Sequence, residues 1–322
     1  MTIQIFPRLT GFAAPLSLAA TMALGFSAQA SAFSLGQASD FNVFVLGNLE
    51  QSNVDTEGRM AVGGNATLTD YGVGVKLTNS NGTRNDLIVG GNLTYTRGKV
   101  FNGNAVYGGT VNLSLVGIPN GTAFQGNPID FATAGQELLD LSAYLGGLSA
   151  NGTTNFQYGQ VTLNGSGSGL NVFNLLGSDL SAANTFTINA DPNATVLVNI
   201  TGETINFGNF GFFLNGVDKQ NVLYNFVDAK NLSSNAVGIQ GSLLAPKATY
   251  QFDNGNIDGT LIAGSLKGGG ESHPYLFKGD LPKPTPTTSQ ESKKVPEPST
   301  LAGLGLVGII GVASRRKGKK NV

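Results

Sequence analysis

The chain has 322 residues, only 12% of them charged, with a formal net charge of −1 and a single histidine. Its body has no basic stripe to meet a nucleic-acid backbone, and the chain has no cysteine for disulfides, thiol catalysis or thiolate-bound metals. Its 46 glycines sit in a chain that is still 40% hydrophobic; that excludes disorder and predicts many short strands joined by tight turns.

Residues 1–32 read as a secretory signal. Arg8 supplies a positive start, an apolar stretch runs from Leu9 to Phe26, and Ala28-Gln29-Ala30 forms a small-x-small cleavage site. The mature body is expected over 33–282. Ala61-Val62-Gly63-Gly64-Asn65-Ala66-Thr67-Leu68-Thr69 is echoed by Ile88-Val89-Gly90-Gly91-Asn92-Leu93-Thr94-Tyr95-Thr96, and more weakly by Gly103 to Gly109. Near the end, Gly241-Ser242-Leu243-Leu244 is echoed by Gly264-Ser265-Leu266. Such spacing predicts stacked rungs, a β-solenoid. Apolar runs such as Leu87-Ile88-Val89 and Val196-Leu197-Val198 are expected to face inward, with glycine and asparagine at the corners. One segment has a different period. Phe131, Ala134, Leu138, Leu141, Leu145 and Leu148 recur at spacings of three and four, which predicts an amphipathic helix capped by Asp130 and ended by Gly146-Gly147. The helix is expected to lie along the solenoid and cover an apolar face.

After Pro282 the composition shifts. Residues 283–294 are rich in Pro, Thr and Ser and read as an exposed linker. Residues 295–322 hold Pro296-Glu297-Pro298, a glycine-rich apolar run to Ala313, and a basic cluster opened by Arg315, Arg316 and Lys317. The apolar run reaches about 22 Å as a helix, against about 30 Å of bilayer hydrocarbon. It is expected to span the membrane with local thinning, the basic cluster staying on the cytoplasmic side.

This tail resembles the PEP-CTERM sorting signal, in which Pro-Glu-Pro, a transmembrane segment and a basic end occur in that order. The resemblance implies an exosortase as partner, with Pro296, Glu297 and Pro298 as its recognition site, a transient inner-membrane intermediate, and delivery to the cell surface or extracellular matrix. The body is similar to the choice-of-anchor A family. The likeness runs from Phe41-Asn42-Val43-Phe44-Val45-Leu46-Gly47-Asn48, through Asp55 to Asn65, to Gly241-Ser242-Leu243-Leu244-Ala245-Pro246, Asn256-Ile257-Asp258-Gly259 and Gly270-Glu271-Ser272-His273. It implies a mainly β, right-handed β-helix fold and an adhesive role toward polysaccharide or surface protein, with no catalysis and no cofactor.

Candidate chemistry in the body is sparse. Glu271 and His273 stand two apart, so a strand points both to one side; one histidine and one glutamate are too few for a closed zinc site, and no metal site is expected. They are read instead as polar residues finishing the last rung. Asn254, Asn256, Asp258 and Gly259 begin like a calcium loop, but Ser265 stands where the acidic ligand belongs, so they are read as turn residues. Acidic residues look scattered, which argues against a glycosidase or lyase, the enzymatic alternative. Thr67 and Thr69 align with Thr94 and Thr96 when the echoes are superposed. Stacked, they form a threonine ladder of the kind ice-binding solenoids expose, and ice binding is the other alternative; only Thr185 and Thr187 repeat the pattern.

Overall fold

A computed structural model of the protein describes residues 35–283. The predicted signal, the linker beyond Lys283 and the sorting tail lie outside the described residues. Within them, short strands stack in parallel around a continuous apolar core, and each turn of chain passes over three faces.

The strands of the first face alternate. In Asn85–Val89, Leu87 and Val89 enter the solenoid core, whereas Ile88 points out. In Thr195–Thr201, Val196 and Val198 point in and Leu197 points out. The expectation that these whole runs face inward is therefore corrected: a strand has a period of two, so an unbroken apolar run must be covered on both sides. The cover is the helix α1, Phe131–Gly146, whose N-cap Asp130 accepts from the amides of Ala132 and Thr133. Ala134, Leu138, Leu141 and Leu145 are buried against Phe44, Ala61, Ile88, Ile262, Leu244, Leu223 and Leu197. Full burial of each large aliphatic side chain contributes roughly 1.5–3 kcal/mol. A chain of buried polar contacts fixes the helix in place. Ser142 Oγ donates to Asn225 Oδ1, Asn225 Nδ2 donates to Ser142 O and to Asn199 Oδ1, and Asn199 Nδ2 donates to Leu145 O.

Chain order and stack order differ. Val43–Val45 lies between Met60–Val62 and Leu261–Gly268, with Val43 opposite Met60 on one side and Leu261 on the other. The N-terminal half runs outward from this seam through Asn85–Val89 and Asn104–Tyr107 to Ala123–Gln125. Helix α1 then crosses back over the seam: Phe131 meets Phe44 with ring centroids 5.5 Å apart, and Leu145 is reached by Asn199 from the other half. The C-terminal half returns toward the seam from Leu170–Leu176 through Thr195–Thr201, Val222–Phe226 and Ser242–Asp253.

The N-terminal echoes are true rung repeats. Ala61 pairs with Ile88, and Ile88 with Val106. At the Gly-Asn corners each asparagine side chain accepts from the next rung: Asn48 from the Asn65 amide, Asn65 from that of Asn92, and Asn92 from that of Thr110. A Cβ on Gly64 would sit 2.7 Å from the Gly47 carbonyl carbon, so this corner requires glycine. The later echo is not a repeat. Leu243-Leu244 stacks on Leu261-Ile262, whereas Ser265-Leu266 stacks on Thr249-Tyr250, on a different face.

A second corner departs from the glycine-and-asparagine expectation. Asp70 (φ 50°), Arg97 (φ 49°) and Leu115 (φ 57°) turn successive rungs in the left-handed region, as Asn209, Ala236 and Asn254 do in the other half. That conformation costs an L-residue about 1–2 kcal/mol, and the stacked strands on either side enforce it. Arg97 and Asp70 form a bidentate pair across one such step, at 2.7 Å on both arms.

Candidate functional site

Among the described residues the second face of the solenoid is bare, and it collects the predicted threonines. It is formed by Leu49–Ser52, the first half of Ala66–Val73, the first half of Leu93–Val100 and Val111–Gly117 on one side of the seam. On the other side it continues through the later parts of Leu261–Gly268 and Ser242–Asp253 to Asn231–Asn235 and Thr204–Gly208. Thr67 pairs with Thr94 and Thr69 with Thr96, while Leu68 and Tyr95 between them are fully buried. Thr67 and Thr94 are exposed; Thr69 and Thr96 are half-buried. The registers extend the outer column in both directions: Asn112, Thr94, Thr67, Glu50, Lys267, Gln251, Ser233 and Asn206 succeed one another across the stack. At about 4.8 Å between rungs and about 6.7 Å between alternate residues, the side chains form a regular mesh. Shallow depressions cross it, one lined by Asn48, Glu50, Asn65, Thr67, Thr249, Ser265 and Lys267.

Three properties follow from this composition. The mesh is rich in donors and acceptors, its side chains are mostly short, and its outer column carries charge only where Glu50 adjoins Lys267. It can make many weak polar contacts with an extended or repeating partner. The apolar void among Leu180, Phe186, Phe212 and Tyr224 in the core measures about 10 Å³, room for about one water molecule. Thr185 and Thr187 do not join the mesh. They lie in a separate four-stranded sheet, opposite Gln160 and Thr162.

Glu271 and His273 occupy the third face and do point to one side, but they do not finish the stack. Their strand, Glu271–His273, pairs with Asn256–Asp258 on one edge and with Thr56 of the N-terminal half on the other. The expectation of a terminal rung fails because the N-terminal strands close the seam. The same closure brings together carboxylates that look scattered in the sequence: Asp55 and Glu57 from the N-terminal half meet Asp258 and Glu271 from the other. His273 Nδ1 lies 2.6 Å from Asp258 Oδ1, and its Nε2 lies 3.4 Å from Glu271 Oε1. Asp258 is also held by Lys219 at 2.5 Å; it is a strand residue facing this cluster, and the turn is made before the strand, at Asn254. Burial disfavours a charged ring at His273, but the Asp258 hydrogen bond and the charges of Asp258, Glu57 and Glu271 raise its pKa above the ordinary value. Burial also acts against the Asp258 carboxylate, and the Lys219 and His273 contacts still hold its pKa below the usual range. Asp55 is raised, first by burial and then by the charges of Glu271 and Glu57.

One oxygen each from Glu57 and Glu271 and a nitrogen of His273 lie within 4.8 Å of one another.

Fold and site together define a helix-covered β-solenoid with one open, polar, regularly spaced face. Residues 34–274 match the family described as "Putative Ice-binding-like adhesive domain", and the chain belongs to that family. Residues 294–317 match the PEP-CTERM protein-sorting motif, which takes in Pro296, Glu297, Pro298, Arg315, Arg316 and Lys317. No curated protein matches the chain in sequence. Among solved structures it is similar to an ice binding protein from an Antarctic Biological Consortium, at 14% identity and a TM-score of 0.42, over 76% of this chain and 91% of that one. It is also similar to a glycosylated ice-binding protein from an Arctic yeast, at 13% identity and 0.36, over 81% and 99%. A Shewanella frigidimarina ice-binding protein domain aligns at 13% identity and 0.34, over 78% and 99%. Among the described residues no helix is long and apolar enough to cross a membrane.

Proposed function

We propose that this chain is an exported protein, sorted by an exosortase through Pro296-Glu297-Pro298, whose body is a non-catalytic adhesin of the cell surface or extracellular matrix. The tail holds it briefly at the inner membrane before delivery, and the choice-of-anchor A resemblance fits a body that is adhesive while its anchor varies. The observation that carries the adhesive reading is the bare face: registered columns of Thr, Asn, Ser and Gln. Repetition turns individually weak polar contacts into useful avidity for a repeating partner such as a polysaccharide.

Ice binding is the second reading, favoured by the registered pairs Thr67–Thr94 and Thr69–Thr96. Glu50 and Lys267 favour adhesion over it, because strongly hydrated charges in mid-face interrupt a water lattice and suit a polar polymer.

The test compares the exported protein with a Thr67→Lys/Thr94→Lys variant on a glycan array and in an ice-affinity assay. Adhesion predicts selective glycan binding by the parent, lost in the variant. Retention on ice alone would replace it with the ice reading, and hydrolysis of any matrix polysaccharide would overturn the non-catalytic assignment. Replacing Pro296-Glu297-Pro298 with alanines should leave the tail uncleaved, read as a higher intact mass; unchanged processing would remove the sorting claim.

A further inference from the structure

The seam on the third face has a geometry that the adhesive reading does not use. Glu271 and His273 project from one strand, and Glu57 follows the neighbouring strand Asp55–Thr56, which belongs to the opposite half of the chain. His273 Nε2 stands 3.4 Å from Glu271 Oε1. Two donors on one tetrahedral zinc ion, each about 2.05 Å from it, stand about 3.3 Å apart. A Glu57 oxygen completes a triangle with both, all within 4.8 Å.

Two independent features go beyond simple clustering. The first is the far side of the imidazole. Asp258, outside the triangle, takes Nδ1 at 2.6 Å and is itself fixed by Lys219 and by Asn256 Nδ2 at 2.9 Å. A carboxylate behind a histidine fixes the tautomer that leaves Nε2 free to coordinate, the arrangement that recurs around protein-bound zinc. The second is Asp55, on the same outward side as Glu57. Its Oδ1 is sealed from solvent and accepts no hydrogen bond. A buried carboxylate oxygen with no donor is costly unless a cation or proton meets it. The protein cations facing the group are few. Lys219 is committed to Asp258, and Lys76 reaches Glu57 only at 3.7 Å from a largely exposed position.

We propose that Glu57, Glu271 and His273 Nε2 bind a divalent transition-metal ion, zinc by their mixed nitrogen and carboxylate donors, with water filling the remaining position. One imidazole with carboxylates suits zinc better than calcium, which takes oxygen ligands. The ion joins the first rungs to the last ones, stapling the seam at which the two halves of the solenoid meet.

The test uses the purified protein, stripped with a chelator and titrated with zinc chloride by calorimetry and thermal melting, with calcium and magnesium chlorides in parallel arms. The expected result is one zinc per chain and a rise in melting temperature at saturating zinc, with calcium and magnesium much weaker. His273→Gln should abolish both effects, and Asp258→Asn should weaken zinc binding by about 10–100-fold. If His273→Gln does not fold, Glu57→Gln serves the same purpose on the other half of the seam. Absence of zinc uptake by the parent would overturn the proposal, as would equal uptake by the variants or calcium binding as tight as zinc. None of these readouts depends on what the bare face holds.

Discussion

The helix-covered face and the bare face are built from the same rungs, yet they have opposite fates. On both, one set of side chains enters the core, and the core residues are interchangeable in kind: Val43, Met60 and Leu87 beneath the helix, Leu49, Leu68 and Tyr95 beneath the bare face. The difference lies in the outward set. Phe44, Ala61, Ile88, Ile262 and Leu244 cannot be left in water, so α1 is drawn over them. Glu50, Thr67, Thr94 and Lys267 are satisfied by solvent, so nothing covers them. In a solenoid the inner residues specify that a rung exists, and the outer ones decide whether a face becomes structure or surface.

Four substitutions put this contrast to the test. Removing the cover should have the largest effect. Leu138→Ala leaves a cavity between α1 and the first face, and is expected to cost about 3 kcal/mol in a denaturant melt. Next comes the polar bridge beneath the helix. Asn225→Ala strands Ser142 Oγ and the Asn199 side-chain oxygen Oδ1, and should cost about 1–3 kcal/mol in the same measurement. The edge of the bare face comes third. Ala236 holds φ 51° at a corner, so Ala236→Gly should raise stability by up to about 1 kcal/mol, the relief of left-handed strain outweighing the added flexibility. The smallest stability effect belongs to the bare face itself. Thr94→Lys should change stability by less than about 0.5 kcal/mol while reducing ligand retention on an array or matrix pull-down. A large loss of stability there would mean that the face is structural after all.

Much of this contrast is legible in the sequence, and what is not has a physical reason. The spacing from Phe131 to Leu148 announces α1, and Asp130 its cap, because both signals are local. The alignment of Thr67 with Thr94 is legible because two adjacent rungs kept similar residues. The pairing of Val43 with Leu261 left no echo; any short apolar run fits any other, so stack order cannot be read from residue types. The corner at Asp70, Arg97 and Leu115 was hidden for the opposite reason: arginine and leucine ordinarily avoid left-handed φ, and stacking imposes it. The carboxylates at the seam look scattered because their meeting depends on that unreadable pairing. The Glu271–His273 spacing was readable, but the approach of Glu57 and Asp258 to them was not.

The seam has one more consequence. Asn42, near the start of the body, donates to the carbonyls of Gly259 and His273, 217 and 231 positions away. In an ordinary repeat array, trimming the last units shortens one end and leaves the remainder intact. Here the last strands fill the centre, so cutting the chain after Gly241 would take out the middle of the stack, leaving two fragments held together by a single helix. The protein has to be complete to be continuous.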